Sequence, residues 1–416
     1  MIMDQYLERL KKGTLKMYAL EKEVPPAEAI RIRRAFIEME AGVQLPKLGS
    51  FTMDPAMAVK RNIENMVGAA QVPVGVAGPL SVRGEFAKGS FYLPLATTEG
   101  ALVASVNRGC GAITRAGGAD VRILRNGMTR APVFSARDIV HAKAVKDFVE
   151  GNRDALAAAA AETTSHGELT GAMVFVTGTT VHVRLEFDTK DAMGMNMVTI
   201  ASERIGNLIE EKTGAHLVAL SGNLCTDKKA AAVNEILGRG KTVVAGVNLP
   251  GDLVSEVFKT DAATMAEVNY RKNLIGSARA GSLGYNAQAA NIVAALFIAC
   301  GQDAAHVVEG SGAFTTAEAR DGGVYVSVTM PALQLGTVGG GTTLDTQREC
   351  LSILGVAGGG TPPGANAKKF AEIACSAVLA GELSLLGALA AGHLARAHKA
   401  LGRSGGGHQS PGGGRE

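Results

Sequence analysis

The stretch AMVFVTGTTVHVRLEF, residues 172–187, contains two apolar runs on either side of Gly178 and Thr179 and predicts a β-hairpin. Its neighbours in the sequence are a predicted helix at 136–164, a predicted long helix at 191–214 and a predicted strand, HLVAL, at 216–220. Helix, two strands, helix and strand form an α+β pattern. The pattern is consistent with a domain of its own, inserted at about 132–218.

The chain before this pattern is expected to begin with helices and then change to strands. Residues 1–63 contain charged segments with helical periodicity, and Pro25 and Pro26 stand at a helix start. The short apolar runs VPVGVAGPL (72–80) and FYLPL (91–95) are punctuated by Gly and Pro, which is typical of strands and turns. These residues predict a helical N-terminal region followed by part of a mixed α/β unit.

The next segments predict helices. Thr97 and Thr98 are candidate N-caps, which would place Glu99 in the first turn of a helix. After residue 221 the chain is rich in Gly and Ala and is expected to be helical to about 403. The predicted organisation is α+β: a helical region at 1–63, a large mixed α/β domain at 64–131 and 219–403, a small inserted domain at 132–218, and a disordered tail at 404–416.

Composition narrows the classes of function. The 416 residues are 46% hydrophobic and carry a net charge of +3 without a long basic run, which argues against a nucleic-acid surface. The five cysteines are scattered and never spaced as CxxC, so reduced thiols in a cytoplasmic protein are expected. The most apolar runs are too short at 289–300 and interrupted by Glu382 at 375–394, so no membrane span is expected.

The sequence lacks the common nucleotide-binding and metal-binding motifs. LGRGKT (237–242) ends like a phosphate-binding loop, but Glu235 stands where its first glycine is required. No GxGxxG follows a predicted strand, and no HExxH is present. His393 and His398 are five residues apart and do not share a helical face, so no metal site is predicted.

Four other clusters leave a structural and a functional interpretation open. GTVGGGT (336–342) is either a tight turn or a run of backbone amides open to an anion. DAMGMNM (191–197) is either a capped helix start or part of a ligand site. GQDAAHVVEG (301–310) places Asp303 after an apolar helix, and SGNLCTDKKAAA (221–232) places two lysines among small residues. Lysines are almost never fully buried unless they are paired.

Together these clusters resemble the 3-hydroxy-3-methylglutaryl-CoA (HMG-CoA) reductase family from about residue 60 to 403. The matching strings, in family order, are ENMVGAAQVPVGVAGPL, TTEGALVASVNRGC, DAMGMNM, SGNLCTDKKAAA, NAQAANIV, GQDAA, GTVGGGT and GELSLLGALAAGHL. DAMGMNM with GTVGGGT resembles the class I branch, which typically uses NADPH. One departure is Gln288, where many members have a histidine.

The resemblance implies reduction of HMG-CoA to mevalonate and CoA with two NADPH. Lys228 would face the carbonyl oxygen, where hydride addition builds negative charge. Glu99 would donate a proton to that oxygen, and Asp303 would share a proton with Glu99 so that one carboxyl stays protonated. His398 would protonate the departing CoA thiolate, whereas His393 has no catalytic role.

The resemblance also assigns binding residues by matched position. The expected substrate and CoA contacts are Arg130, Ser221, Asn223, Asp227, Lys229, Lys272, Asn291, Ser105, Asn107 and Arg108. The expected NADPH contacts are Asp191, Met193, Gly194, Met195, Asn196, Gly339, Gly340, Gly341, Thr342 and Arg403.

The resemblance further implies a large substrate-binding domain, a ferredoxin-like NADP(H)-binding insertion and a homodimer or larger even oligomer. ENMVG (64–68) matches the family's dimer-contact motif, and active sites are expected where two subunits meet. The main alternative is an NAD-dependent class II-type enzyme that oxidises mevalonate. A phosphotransferase built on LGRGKT and a catalytically silent binding protein are further alternatives.

Overall fold

The computed structural model describes residues 2–164 and 166–404, with side chains as far as residue 392. Helices lie at α1 (Ile2–Lys11), α2 (Pro26–Ala41), α3 (Pro55–Arg61), α4 (Leu102–Arg115), α5 (Ile139–Gly151), α6 (Arg153–Ala161), α7 (Met195–Thr213), α8 (Ala232–Leu237), α9 (Gly251–Phe258), α10 (Ala262–Val268), α11 (Ser277–Ala280), α12 (Ala289–Ala299), α13 (Val307–Gly310), α14 (Asp345–Ile353) and α15 (Ala365–Ser404). A π-helical segment spans Asn269–Gly276, and 3₁₀ turns span Met17–Lys22, Ala304–His306 and Gly340–Thr343.

The strands form one connected, mostly antiparallel sheet. They are β1 (Val74–Arg83), β2 (Lys88–Ala96), β3 (Ala119–Arg130), β4 (Val133–Ser135), β5 (Glu168–Thr177), β6 (Thr180–Asp188), β7 (His216–Ala219), β8 (Gly240–Pro250), β9 (Phe314–Arg320) and β10 (Gly323–Leu333). The main path runs β7-β4-β6-β3-β8-β10-β9, while β1 pairs with β2 and, in parallel, with β3, and β5 pairs with β6. The fold is therefore mixed α/β, as expected.

The larger hydrophobic core lies between the sheet and helices α4, α12 and α15. Side chains such as Leu93, Val106, Leu296, Val326 and Leu379 are buried there. The apolar part of α15 is long enough to cross a membrane, but 83% of its most apolar 18-residue stretch is buried inside the protein. This helix therefore packs as the central helix of the core.

A second hydrophobic cluster is built from the segment that contains the predicted hairpin. Helices α5 and α6 pack on the hairpin of β5 and β6, and α7 packs on these two helices and on β3 and β7. The cluster buries Val145, Leu156, Val183, Leu185 and Ile205. Strand β5 pairs with β6 across a two-residue turn, which confirms the predicted hairpin. The end of β3 pairs with β6, so the sheet continues from one cluster into the other.

The prediction of a helical chain after residue 221 is wrong. Three long strands, β8, β9 and β10, lie in that stretch and form the edge half of the sheet. The run TVVAGVNL in β8 is β-branched and apolar, and β10 alternates buried and half-buried residues before both faces become buried. Abundant Gly and Ala masked this strand pattern, since small residues fit either structure.

The predicted helix at 136–164 is also divided in two. Helix α5 ends at Gly151, and Asn152 breaks the backbone with φ −125° and ψ 40° before α6 begins. The Nδ2 group of Asn152 donates a hydrogen bond to the carbonyl of Phe148, 2.8 Å away. A side chain that binds the last turn in this way ends a helix.

Candidate active site

The loop that carries Lys228 is held in an unusual backbone conformation. Asn223, Thr226 and Lys228 all have positive φ, at 64°, 55° and 58°. This region is costly for residues with a side chain and persists only where the surroundings hold it. The Lys228 amide donates to Oε1 of Glu309 at 2.8 Å. The backbone thus fixes the direction in which the Lys228 side chain leaves the loop.

Lys228 forms an ion pair with Asp303, which lies at the start of the Ala304–His306 turn. Lys228 Nζ is 2.8 Å from Asp303 Oδ2, and the two side chains are 44% and 37% exposed. The hydrogen bond to Asp303 raises the pKa of Lys228. Burial alone would raise the pKa of Asp303, but hydrogen bonds from Lys228 and the Ala305 amide outweigh burial and lower it. Both groups are therefore charged at neutral pH.

Behind this pair lies a buried cluster of charges that the motif comparison did not assign. Arg239, with no exposed side-chain surface, donates to Glu309 at 2.9 Å and to Asp227 at 3.0 Å. Burial lowers the pKa of Arg239, although Glu309 and Asp227 oppose that shift. His306 Nδ1 is 3.2 Å from Glu309 Oε1. The cluster supports the Lys228 loop from within the protein.

The sequence contained a signal for this cluster. Arg239 lies in LGRGKT, the segment that ends like a phosphate-binding loop. His306 and Glu309 lie in GQDAAHVVEG beside Asp303. His306 is three positions after Asp303 and three before Glu309, a spacing at which side chains on a helical turn are neighbours. Testing that spacing would have identified His306 and Glu309.

Asp227 and Arg130 are part of the same network. Arg130 NH1 is 3.3 Å from Asp227 Oδ2, and the Nε atom of Arg130 is buried without a hydrogen-bond partner. Asp227 is also bound by Arg239, so its carboxylate is committed to two guanidinium groups. This geometry gives Asp227 the role of holding Arg130 in place.

A cation could in principle bind near His306, but the cluster already contains a positive group. Ligand atoms of Asp227, His306 and Glu309 lie within 4.8 Å of one another. Arg239 donates to both of these carboxylates. A guanidinium that takes up the carboxylate charge leaves little attraction for a metal ion.

Glu99 lies outside helix α4, contrary to the expectation that it occupies a first turn. The helix begins at Leu102, and its N-cap, Ala101, has φ 70°. Glu99 is exposed in the preceding loop, where its amide donates to Thr97 Oγ1 at 3.0 Å. Asn291 Nδ2 donates to Glu99 Oε1 at 3.4 Å. Glu99 therefore precedes the helix, in a loop held by Thr97 and Asn291.

The expected close pair of Glu99 and Asp303 is not formed by direct hydrogen bonding. Glu99 is bound by Asn291, whereas Asp303 is bound by Lys228 and by the Ala305 amide. These two carboxylates therefore have different partners. A proton shared directly between these two groups requires a rearrangement from this geometry.

The two glycine-containing motifs predicted to bind the cofactor lie side by side. Ala192 and Val338 form an isolated parallel bridge, and the Thr337 amide donates to the carbonyl of Asp191 at 2.8 Å. A Cβ at Gly336 would come within 2.4 Å of the Met193 amide nitrogen, so this approach needs glycine. The structure thus joins DAMGMNM to GTVGGGT.

The combined loops reach the Lys228 site. Arg239 NH2 is 3.0 Å from the sulfur of Met195 at the start of α7. The backbone of Gly341 packs against Gly301, where a Cβ would come within 2.3 Å of the Gly341 oxygen. Gly301 stands two residues before Asp303. The candidate cofactor loops therefore border the ion pair.

The glycine-rich loop has room for a phosphate-bearing ligand. No atom lies within 4 Å of the position a Cβ would take at Gly339 or Gly340, and these residues have φ of 76° and 55°. The hydroxyl of Thr342 donates to the carbonyl of Gly339 at 2.7 Å and stabilises the turn. Open glycine backbone of this kind allows close approach of a pyrophosphate. Gly194, the N-cap of α7, also has positive φ, and Asn196 is exposed.

Asp191 has a structural role that its sequence neighbours do not reveal. Its carboxylate is buried and accepts hydrogen bonds from the amides of Gly360 at 2.9 Å, Gly364 at 2.7 Å and Ala367 at 3.0 Å. These amides lie at the N-terminus of α15, not of α7, which begins at Met195. The expectation that Asp191 caps the helix of its own motif is therefore wrong.

Replacing Asp191 should destabilise the fold. In an Asp191→Ala variant three amide donors lose a charged acceptor, and we expect the free energy of unfolding to fall by about 3 kcal/mol or more. Asp138, an exposed N-cap that accepts from the His141 amide, is a matched control. Its replacement by Ala should cost about 1 kcal/mol. Equal losses in denaturant titrations would contradict the assigned capping role.

The remaining predicted substrate residues fall into two groups. Near Lys228, Ser221 Oγ is 3.3 Å from Cys225 Sγ, and Lys229 Nζ donates to the Asp227 carbonyl at 3.1 Å. Asn223 and Lys272 are exposed, and Lys272 lies in the π-helical segment, a conformation frequent at functional sites. These groups remain accessible to a ligand.

The predicted CoA contacts on α4 are engaged in contacts within the chain. Ser105 Oγ is 3.1 Å from Ser384 Oγ, and Arg108 Nε donates to the same hydroxyl at 3.0 Å. Asn107 Oδ1 accepts from the Gly78 amide at 2.9 Å. These bonds fasten α4 to α15 and β1. The side chains of His398 and Arg403 lie outside the described residues.

Gln288, the departure from the family pattern, binds the neighbouring helix. Its side-chain Nε2 donates to the Gly381 carbonyl at 2.6 Å, while its backbone N–H donates to the buried Glu382 carboxylate at 2.6 Å. Its side chain therefore helps to attach the start of α12 to α15.

Comparison with known proteins gives consistent matches over nearly the whole chain. The family profile described as hydroxymethylglutaryl-coenzyme A reductase matches residues 29–403. A Halobacterium salinarum protein named 3-hydroxy-3-methylglutaryl-coenzyme A reductase is 56% identical over 95% of this chain and 98% of its own length. A Pyrococcus abyssi protein of the same name is 55% identical over 97% of this chain and 100% of its own length.

Solved structures share the fold. A class II 3-hydroxy-3-methylglutaryl-CoA reductase from Streptococcus pneumoniae, bound to NADPH in open conformations, superposes with a TM-score of 0.66. It is 18% identical in sequence, and the match covers 90% of this chain and 100% of that chain. At this identity the similarity concerns the fold alone.

Proposed function

The chain belongs to the hydroxymethylglutaryl-coenzyme A reductase family, and we propose that it reduces HMG-CoA to mevalonate and free CoA with two NADPH. The observation that carries this proposal is the ion pair of Lys228 and Asp303, 2.8 Å apart and bordered by the open glycine loops. It places a cation beside open glycine backbone, which supports the proposed cofactor site. Such a cation stabilises the negative charge that develops on a reduced carbonyl oxygen.

Each step of the reduction places a demand on a protein group. NADPH, when bound, supplies the hydride that adds to the thioester carbonyl carbon, and a second NADPH supplies the hydride that adds to the aldehyde carbon. Lys228 faces the oxygen that gains charge in both additions. Glu99 donates the proton that this oxygen takes up, and its exposed loop leaves it free to approach a substrate.

The thiolate that leaves between the two hydride additions requires its own proton. We assign this step to His398 from the family resemblance. An imidazolium is suited to it because its proton can be transferred near neutral pH.

A His398→Gln variant should separate the two halves of the reaction. We expect it to lose most activity with HMG-CoA, by about 10²-fold or more, yet to reduce free mevaldehyde, from which no thiolate leaves. His393→Gln, in the same helix, is the matched control and should retain both activities. Equal losses of both activities in the His398 variant would contradict its assignment.

Substrate binding is assigned to the accessible groups around the ion pair. The guanidinium of Arg130, whose side chain is 16% exposed, and the exposed Lys272 suit the carboxylate of the glutaryl group. Asn291, already bound to Glu99, would orient both that acid and the substrate. Lys229, Ser221 and Asn223 complete the proposed contacts.

The small domain at 132–218 is proposed to bind NADP(H). Its own hydrophobic cluster and the position of DAMGMNM at its end support this division. The large domain at 64–131 and 219–403 would bind HMG-CoA. We propose that the enzyme is class I-like and prefers NADPH to NADH. The similarity to the class II structure, at 18% sequence identity, concerns the fold alone.

The proposed enzyme works as a homodimer or larger even oligomer. Glu99 is exposed and Lys228 is half-exposed in one chain, whereas a hydride transfer site is expected to exclude water. A second subunit that covers these groups would complete the site. The buried state of all five free cysteines is in keeping with the expected cytoplasmic location.

The direct test is HMG-CoA-dependent loss of NADPH fluorescence, with CoA release measured in parallel. We expect two NADPH to be consumed for each CoA released, and NADH to support a slower reaction. Mevalonate with NAD and CoA tests the alternative direction. Faster mevalonate oxidation with NAD than HMG-CoA reduction with NADPH would favour the class II-type alternative. Absence of any HMG-CoA-dependent oxidation would overturn the proposal.

A further inference from the structure

We propose that His306 is a positioning residue that takes hold of Asp303 when Lys228 turns to the substrate oxygen, an inference that rests on the function proposed above. His306 lies at the end of the Ala304–His306 turn, three residues after Asp303, and is only 1% exposed. No matched family position assigned it a role. Its place between the ion pair and the buried charges is what suggests one.

The two ring nitrogens of His306 have different surroundings. Nδ1 is 3.2 Å from Glu309 Oε1, an acceptor, and 3.4 Å from a guanidinium nitrogen of Arg239, a donor, so this nitrogen has a partner in either tautomer. Within the described part of the chain, Nε2 is buried and has no hydrogen-bond partner. It lies 3.8 Å from Asp303 Oδ2 and 3.8 Å from Asp227 Oδ1. A buried nitrogen left unpaired beside two carboxylates is costly unless another state of the site uses it.

The atom nearest to Nε2 on the catalytic side already has a partner. Asp303 Oδ2 accepts from Lys228 Nζ at 2.8 Å, and the same oxygen faces His306 Nε2 at 3.8 Å. When Lys228 binds a developing oxyanion, its bond to Asp303 weakens and leaves this half-buried carboxylate undersatisfied. A shift of about 1 Å would bring Nε2 and Oδ2 to hydrogen-bond distance.

The charges around the ring are compatible with this exchange. In the tautomer whose Nδ1 accepts from Arg239, Nε2 carries the ring hydrogen and can donate it to Asp303 without any additional charge on the ring. The groups that face the ring or border it are Asp303 and Glu309 from its own segment, and Asp227, Lys228 and Arg239 from the loop and turn opposite. Asp227 is also bound by Arg130, so the three carboxylates face two guanidinium groups and one ammonium, and these charges balance.

This arrangement would let Lys228 move while Asp303 keeps its position. Asp303 must release part of its hold on the ammonium during hydride transfer and recover it afterwards. A second donor on the same oxygen lets the carboxylate stay in place while Lys228 moves. His306 thus acts through Asp303 and need not touch the substrate.

A double-mutant cycle tests whether His306 acts through Asp303. His306→Leu keeps an apolar side chain of similar size but no donor, while His306→Gln keeps an N–H donor at about the same reach. We expect His306→Leu to lower kcat about 10- to 100-fold with little change in KM, as for groups that orient a directly acting residue. His306→Gln should recover most of that loss. In an Asp303→Asn background, His306→Leu should cost less than about twofold.

Separate measurements of rate and stability, with one control variant, distinguish an effect on kcat from an effect on folding. Single turnovers with enzyme in excess over NADPH make the slowest variant measurable, and denaturant unfolding reports stability separately. His141 is the matched control, since it is 7% exposed and binds the Thr213 carbonyl at 2.8 Å in the second hydrophobic cluster. His141→Leu should lower stability without a comparable loss of kcat.

The results that would overturn the inference are specific. An equal loss from His306→Leu with and without Asp303 would show that the two residues act independently. A loss of stability in His306→Leu with unchanged kcat for the folded protein would make His306 a packing residue. If the wild-type chain itself fails to reduce HMG-CoA, the proposed function fails, and the inference falls with it.

Discussion

Lys228→Met should lower kcat for HMG-CoA reduction by about 10²- to 10³-fold, the cost of removing one preorganised group that stabilises an oxyanion. Methionine keeps much of the length and apolar stem of lysine but removes the charge. The Lys228 side chain is 44% exposed, so its replacement should leave the free energy of unfolding nearly unchanged. The loss would therefore come from the reaction and not from the fold.

The variant is best measured beside a lysine in a similar ion pair. Lys143 Nζ is 2.6 Å from Asp147 on the surface of α5, and its side chain is 65% exposed. Lys143→Met removes a charge from a lysine–aspartate pair outside the candidate site, so kcat should be unchanged. Steady-state rates with saturating NADPH and HMG-CoA give both values. Similar rates for the two variants would contradict the role of Lys228.

Asp303→Asn should reduce kcat by about 10³-fold, within the range for groups that govern proton transfer and charge at a reacting centre. The amide cannot carry the charge that raises the pKa of Lys228, and it cannot take up a proton. It can still accept the Ala305 amide hydrogen bond that Asp303 accepts at 3.1 Å. The fold should therefore be preserved while the ion pair is lost.

Asp261 provides the control for this substitution. It is an exposed N-cap of α10 that accepts from the Thr264 amide at 2.8 Å. Asp261→Asn keeps a good cap and should leave activity unchanged, with a stability loss of less than about 1 kcal/mol. Near-normal turnover in Asp303→Asn would show that the carboxylate is not required.

The shifted pKa values of the pair set the direction of its pH dependence. The folded pKa of Asp303 lies below its ordinary value of 3.8, so its contribution is present above that value and is lost as pH falls through the folded pKa. The folded pKa of Lys228 lies above 10.5, so its contribution is lost only as pH rises through that higher value. Changes of activity near neutral pH must therefore come from other groups.

Local patterns were sufficient for the parts of the molecule that depend on neighbours in sequence. The hairpin of β5 and β6 follows from apolar runs around Gly178, and the place of Asp303 after α12 follows from an apolar helix that ends before a glycine. The motif SGNLCTDKKAAA predicts Lys228 as a site residue, and the structure places Lys228 in an ion pair with Asp303. These features are local or carried by whole motifs.

Contacts between distant segments explain what was missed. Asp191 caps a helix that begins about 170 positions later, and no periodicity within DAMGMNM contains that information. Arg239 binds Glu309 across 70 residues, which becomes visible only when the turn after α12 packs on the Lys228 loop. The position of Glu99 was misjudged because two threonines resemble an N-cap, while the left-handed Ala101 delays the helix.

The central claim is that the Lys228 ammonium lies where the thioester oxygen gathers negative charge. A crystal structure of the assembled protein with HMG-CoA bound measures this directly, as the distance from Lys228 Nζ to the thioester carbonyl oxygen. We expect a distance within about 3.2 Å, the range of a charged hydrogen bond. An ordered substrate whose carbonyl oxygen lies beyond about 6 Å from Nζ, on a different set of donors, would contradict the account.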